Sequence, residues 1–200
     1  VYSSYVYGEG QNKVKVILLD TRYNCQHPGA DADMLGDAQW EWLEKELISS
    51  DARLNIIGSS IQFVADVPGF ENWDKFPSAQ KRMLDLIGRT KAKGVVFISG
   101  DVHFTEASRR RYAQIDYPIY DFTSSGLTHG NNIVGLNSNP YRLDGERYGR
   151  HNFGFIDIDW EKDRLTFTGY DTRGKPQVRH DVSFSEIGWN MPAISKPAKQ

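Results

Sequence analysis

Val95-Val96-Phe97-Ile98-Ser99-Gly100-Asp101-Val102-His103 runs from an apolar segment through a glycine into an Asp-x-His pair. Gly94 opens a continuous apolar run over 95–98, as in a buried strand. Gly100 permits a tight exit from that strand. In open α/β sheets, ligands collect at the carboxyl ends of strands. Asp101 and His103 are two apart, so in extended backbone they point to the same side. A carboxylate and an imidazole converging there are the right types for a metal ion. The oxygen suits a hard cation such as calcium; the nitrogen suits iron, zinc or manganese. The alternative is a capping Asp and a surface His. With this composition one Asp-x-His pair is expected roughly 0.4 times by chance, so the spacing gains its weight from the strand and glycine before it.

Upstream, two periodicities alternate. Residues 14–20 form an apolar run ending in a polar loop, read as a strand buried on both faces. Residues 37–49 place Trp40, Leu43, Leu47 and Ile48 at helical spacing, with most acids and Lys45 outside that stripe. A second strand is expected over 53–61. A second helix is expected over 78–91 through Ala79, Met83, Leu86 and Ile87, with Pro77 suited to its first turn. This strand–helix–strand–helix–strand order predicts a layered α/β architecture. At the start of the chain, Tyr2 to Tyr7 reads as a strand already under way.

Downstream the pattern changes. Strands are expected over 118–124 and 177–184, and a hairpin joins 153–160 to 165–170 around Glu161-Lys162-Asp163. The long stretch 126–152 is rich in Gly, Asn, Arg and Tyr, as binding loops often are. Residues 189–200 read as a polar, proline-bearing tail.

Three further segments carry candidate chemistry. Asp20-Thr21-Arg22-Tyr23 follows the first buried strand and falls at the same sheet edge as Asp101. Arg22 there suits a phosphate oxygen bidentately; the alternative is a pair with Asp20 or another loop acid. Thr123-Ser124-Ser125-Gly126-Leu127-Thr128-His129 follows another strand. It lacks the glycine-flanked serine of a nucleophile elbow, which leaves a serine esterase through Ser124 or Ser125 with His129 a distant reading. His129 is read as facing substrate or as a loop residue. His27, His151 and His180 have no convergent partner, Cys25 has no activating environment, and Trp40 and Trp42 read as packing residues.

Composition excludes several classes. The 200 residues hold 24 Lys and Arg against 26 Asp and Glu, a formal net charge of −2. A nucleic-acid clamp normally shows a basic excess. The longest apolar runs fall far short of the roughly 20 residues of a membrane helix. A single cysteine excludes an intrachain disulfide framework.

Taken in order, these pieces resemble one family. Val-Ile-Leu-Leu-Asp-Thr-Arg-Tyr at 16–23, Met-Leu-Gly-Asp-Ala-Gln-Trp-Glu-Trp-Leu at 34–43 and Ser-Gly-Asp-Val-His at 99–103 are similar to the PhoD-like alkaline phosphatases. Phe-Thr-Ser-Ser-Gly-Leu-Thr-His at 122–129 and Asn-Phe-Gly-Phe-Ile-Asp-Ile-Asp-Trp at 152–160 extend the resemblance. It implies an α/β fold, the calcineurin-like metallophosphoesterase αββα sandwich with mixed β-sheets. Residues 1–188 would be the C-terminal half of that domain.

The resemblance also implies hydrolysis of phosphate mono- or diesters by water activated at a dinuclear metal centre. Iron with calcium is its best-known pairing; zinc, manganese and magnesium are alternatives. Two metals lower the pKa of the bound water, orient it and neutralise the phosphoryl oxygens. By resemblance Asp101 would bind one metal and His103 the other, with Arg22 and His129 near the phosphate. The family's other metal ligands lie in an N-terminal half that precedes the matched region. Two ligands cannot close a dinuclear site. The expected partners are therefore a phosphate-ester substrate and that N-terminal half, in cis or as a second chain. Export to the periplasm or exterior is a further implication. The competing class is a non-catalytic interaction module that retains the second half of the fold.

Overall fold

The computed structural model describes residues 1–131, 139–143 and 147–189. Among the described residues there are nine strands and two α-helices. They are β1 (Ser3–Tyr7), β2 (Val14–Leu18), α1 (Asp37–Ile48), β3 (Leu54–Gly58), α2 (Pro77–Thr90), β4 (Val95–Ser99), β5 (Thr105–Arg110), β6 (Ile119–Ser124), β7 (Asn152–Asp159), β8 (Arg164–Asp171) and β9 (Pro176–Ser183). One sheet has six strands in the order β1-β2-β3-β4-β6-β5, and a second has three in the order β7-β8-β9.

The first sheet is mixed. β2, β3, β4 and β6 run parallel, while β1 and β5 pair antiparallel at its two edges. The helices form because their apolar residues recur on one face and bury there. Trp40, Leu43 and Leu47 are buried on α1, and Met83, Leu86 and Ile87 on α2. Pro77 starts α2, where its missing N–H costs nothing, and Lys91 ends it in the left-handed region at φ 55°. Gly94 is also left-handed at φ 63°, and a Cβ there would lie 2.0 Å from the Arg53 carbonyl oxygen. That contact forbids any side chain where the chain turns into β4.

The helices cover the face of the six-stranded sheet that carries Lys15 and Ile17. Lys15 Nζ donates to the Glu46 carbonyl oxygen of α1 at 2.7 Å. On the same face Phe97 stacks on Phe63 with centroids 3.9 Å apart, and Trp73 meets Phe63 edge-on at 5.2 Å. All three rings are fully buried, and each such side chain contributes about 1.5–3 kcal/mol through burial. The three-stranded sheet covers the opposite face, at β5 and β6. Phe122 of β6 stacks on Phe167 of β8 at 4.9 Å. Gly169 makes this approach possible, since a Cβ there would come within 2.5 Å of Thr105 Oγ1.

The structure departs from the sequence expectations at three places. β5 is an additional strand; its Thr105-Glu106-Ala107-Ser108 run has no apolar periodicity, yet all four residues are buried. β2 is buried on one face only: Val14 and Val16 are half-buried and Leu18 is 40% exposed. Its continuous apolar character therefore does not mean two covered faces here. Ile48 ends α1 exposed to solvent, because one residue past Leu47 places it about 100° off the buried Trp40/Leu43/Leu47 stripe. Parts of the expected binding stretch 126–152, namely 132–138 and 144–146, and the tail from 190 onward lie outside the described residues.

Candidate functional site

Parallel pairing brings the carboxyl ends of β2, β3 and β4 to one sheet edge. The loops leaving those ends carry Asp20–Tyr23, Ser59 with Ser60, and Gly100–His103. Thr21 Oγ1 and Ser60 Oγ share a hydrogen bond of 2.5 Å, which ties the first two loops together. Asp20 acts as a turn former. Its Oδ1 accepts from the N–H groups of Arg22 and Tyr23.

That turn aims Arg22 outward. Its Nη1 donates to Glu71 Oε2 at 2.6 Å, and its Nη2 lies 3.9 Å from Asp101 Oδ1. Desolvation opposes the Arg22 charge, but the ion pairs with Glu71 and Asp101 outweigh it and raise the pKa further. Arg22, expected beside a phosphate or a loop acid, meets two acids in the structure, and one of them is Asp101.

Gly100 to Phe104 is not extended. The N–H of Val102 donates to the Gly100 carbonyl oxygen at 3.0 Å, a tight three-residue turn with Asp101 at its centre. Asp101 has φ 75° and His103 has φ 59°. Residues other than glycine rarely hold such values, which cost about 1–3 kcal/mol each and persist only when the surroundings enforce them. The enforcing contacts are visible. Val102 and Phe104 are buried with Ala65 and Val67 in a small separate apolar cluster. The His103 N–H donates to Ser125 Oγ at 2.9 Å, and its carbonyl accepts from the Asn131 N–H at 2.9 Å. Burial of Val102 and Phe104 leaves Asp101 exposed and His103 half-buried.

This corrects the expectation of an extended Asp-x-His. The two donors engage different partners: Asp101 faces Arg22, and His103 packs its ring edge-to-face on His129 at 3.9 Å. Arg22 with Asp101 and His103 with His129 are thus two neighbouring pairs. His129 Nδ1 bonds Thr128 Oγ1 at 3.0 Å, and His151 Nε2 reaches the Thr128 carbonyl at 3.1 Å. Among the described residues no group of three or more His, Cys, Asp or Glu is arranged to hold a metal ion. The serine reading loses its geometry. Ser124 Oγ donates to Asn152 Oδ1, and Ser125 Oγ accepts the His103 N–H. Burial pushes the Cys25 thiol up, away from reactivity.

Behind the loops lies a polar centre that sequence reasoning did not anticipate. Glu106 is fully buried and accepts from Arg142 Nε at 2.5 Å, Gln62 Nε2 at 2.8 Å and Asn139 Nδ2 at 2.8 Å. Asp121 is also fully buried. Its Oδ2 accepts the N–H groups of Phe63 and Val64, and its Oδ1 accepts from Ser99 Oγ. Desolvation, followed by the nearby Glu106 charge, pushes the Asp121 pKa up to about 6 against those hydrogen bonds. The centre anchors the 59–67 loop to β4 and β6 directly below Gly100.

A model of the PhoD-like phosphatase family matches residues 1–168. The chain belongs to that family. It is 25% identical over 158 residues to alkaline phosphatase D of Bacillus subtilis (strain 168), covering 66% of this chain and 27% of that protein. A solved structure of PhoD superposes with TM-score 0.66 at 18% identity, over 91% of this chain and 44% of the other. GAP50, the anchor in the inner membrane complex of Plasmodium, superposes with TM-score 0.58 at 12% identity, over 92% of this chain and 53% of the other. The PhoD-like chain described here therefore spans about a quarter of the curated relative and about half of these solved structures. No helix among its described residues is long and apolar enough to cross a membrane.

Proposed function

We propose that this chain carries one side of a phosphoester-hydrolase site whose remaining groups come from polypeptide outside these 200 residues. The carrying observation is the strained turn that displays Asp101 and His103 at the strand ends with Arg22 beside Asp101. In this reading Asp101 and His103 are metal donors, and Arg22 and His129 meet the phosphate of a mono- or diester. The fold is read as the second half of a calcineurin-like αββα sandwich, and the whole protein as exported.

The donors present do not make a metal centre by themselves. Each ion needs about four or more ligands, and no third His, Cys, Asp or Glu joins the two among the described residues. The local charge points the same way. Arg22 lies between two carboxylates, Glu71 and Asp101, so its corner is net negative as it stands. An anionic ester would be repelled there unless added positive charge offset Asp101. Iron with calcium, or zinc, manganese or magnesium, would supply that charge in the dinuclear centre implied by the family resemblance. Arg22 keeps its charge at any working pH and presents a planar fork to phosphoryl oxygens. The Glu71 ion pair orients that fork.

Turnover of p-nitrophenyl phosphate and bis-p-nitrophenyl phosphate tests this, with bound metal measured alongside. The comparison is between the 200 residues alone and the chain extended by the segment encoded ahead of Val1. The extended form is expected to be active and the short form inactive. Asp101→Ala and His103→Ala should each lower activity by about 10²-fold or more and release metal. Robust metal-dependent turnover by the 200 residues alone would contradict a shared site. Unchanged metal and activity in both variants would favour the second reading, a non-catalytic interaction module. The open apolar face of the larger sheet is what favours that alternative.

A further inference from the structure

The connection from β6 to β7 is closed at its base by contacts that step inward from both ends. The Asn152 N–H donates to the Gly126 carbonyl oxygen at 3.0 Å. His151 Nε2 bonds the Thr128 carbonyl oxygen at 3.1 Å. Arg147 Nη1 donates to the Asn131 carbonyl oxygen at 3.3 Å. The outgoing arm of this base carries His129, whose ring meets that of His103. The innermost contact reaches the same turn by another route, because the Asn131 N–H donates to the His103 carbonyl oxygen at 2.9 Å.

Arg147 touches that turn twice. Its guanidinium carbon lies 5.0 Å from the centre of the Phe104 ring, the residue that follows His103. Phe104 is fully buried with Val102, so its ring is fixed by the apolar cluster beneath it. The same guanidinium holds the Asn131 carbonyl, and Asn131 holds His103. Backbone pairing sets Arg147 in this place. Tyr148, the next residue, exchanges both N–H to carbonyl bonds with Thr105, each of 3.0 Å, at the start of β5. The position is unfavourable for a cation. Burial first, and then the neighbouring Arg142 charge, lower the Arg147 pKa against the pull of Glu106. A ring face and a carbonyl oxygen both favour a cation and offset part of that cost.

We infer that Arg147 is a positioning residue, which clamps the base of the β6–β7 connection onto the Gly100–Phe104 turn and so holds His103 in its left-handed backbone against His129. The strain at His103, φ 59°, is what calls for a clamp. Two hydrogen bonds grip the His103 backbone, its N–H on Ser125 Oγ and its carbonyl on the Asn131 N–H. Ser125 directly follows β6 and is steadied by that strand. Asn131 lies six residues further along, and Arg147 ties its carbonyl down. The second grip on His103 is therefore as firm as Arg147 makes Asn131. Arg22 stands exposed at the rim, whereas Arg147 is half-buried over a ring, which suits holding the turn rather than meeting substrate. The clamp rests on these contacts. Its effect on turnover rests on the proposed reading of His103 as a metal donor.

Nuclear magnetic resonance on the 200-residue chain, without metal, tests the clamp directly. Arg147→Met removes both the charge and the donor. Hydrogen exchange of the Asn131 amide should then speed by about tenfold or more. The φ-sensitive amide coupling of His103 and the ring signals of His129 should change with it. Arg147→Lys keeps a charge and a donor, and should return the exchange to within about threefold of the parent. Arg150→Met, at an exposed side chain on the same arm, should alter none of these signals. Amides of β2–β4 report global stability, and Arg147→Gln replaces the methionine variant if that one does not fold. In the active, extended form of the chain, Arg147→Met should lower kcat by about tenfold or more with KM within about twofold. Unchanged Asn131 exchange and His103 coupling in Arg147→Met overturn the inference. So does faster exchange spread equally over β2–β4, or a lysine variant that restores nothing. A raised KM at unchanged kcat would place Arg147 on the substrate and overturn the positioning role. Local changes with kcat untouched, or in a chain inactive in every form, leave the clamp standing and count against the catalytic reading of His103.

Discussion

Two clusters of charge lie on the same sheet and do opposite work. Below β4–β6, Glu106 and Asp121 are fully buried and the Arg142 side chain is 6% exposed, with hydrogen bonds on their polar atoms. At the strand ends, Arg22, Glu71 and Asp101 are the same residue types with open side chains, Asp101 45% exposed. Burial separates them. In the interior an ion pair cannot be released without stranding a charge, so it holds structure. At the rim water screens the pair, so it contributes little to stability and stays free to exchange partners.

The widest gap between the two should appear on unpairing the buried side. Arg142→Met leaves Glu106 charged and without its ion-pair partner, and is expected to cost about 3–5 kcal/mol in urea unfolding. Adding Glu106→Gln should restore part of that. A cost under about 1 kcal/mol would mean that water reaches Glu106, and the contrast with the rim would collapse.

Next comes pH. Asp121 has its folded pKa raised to about 6 from 3.8. A raised acid is favoured in its protonated form by the folded state. Its contribution is therefore complete below about pH 4 and is lost as pH rises through about 6. Unfolding free energy should fall by up to about 3 kcal/mol between pH 4 and pH 7, because it drops by about 1.4 kcal/mol for each pH step between the unfolded and folded pKa. Asp121→Asn should flatten that slope. A profile rising through this window would refute the buried assignment.

The strained turn gives a smaller effect of opposite sign. Asp101→Gly relieves the φ of 75° and is expected to raise stability by about 1 kcal/mol while abolishing metal binding by the assembled site. A loss of stability would show that the Asp101 carboxylate supports the fold. Smallest is Arg22→Ala, expected within about 0.5 kcal/mol of the parent in stability. In an assembled phosphoesterase the same change should lower kcat/KM by about 10²-fold. Equal kcat/KM in parent and variant would remove Arg22 from the site.

Local pattern made much of the fold legible. β4 falls at the residues its apolar run marks, and α2 begins at Pro77 and carries its buried stripe as expected. The candidate site was legible as residue types at strand ends, because loop position follows from strand position. Its pairings were not. Arg22 and Glu71 are 49 residues apart, and nothing near either one announces the other. β5 was hidden because Thr105, Glu106 and Ser108 are buried by partners far away in sequence. The left-handed backbone at Asp101 and His103 has no local signature either, since neither is glycine.

The amino-acid sequence by itself determined the alternation of strands and helices, the family motifs and the chemical types at the sheet edge. These depend on neighbours three or four positions away, or on identity alone. Tertiary structure decided which acid Arg22 meets, that Asp101 and His103 face different partners, and that one face of the larger sheet is only partly covered. Those outcomes depend on how strands are ordered and how much of a second layer lies over them. An apolar run such as 16–19 reads the same with one face covered or two, because hydrophobicity records what a residue prefers to touch and not whether that neighbour is there.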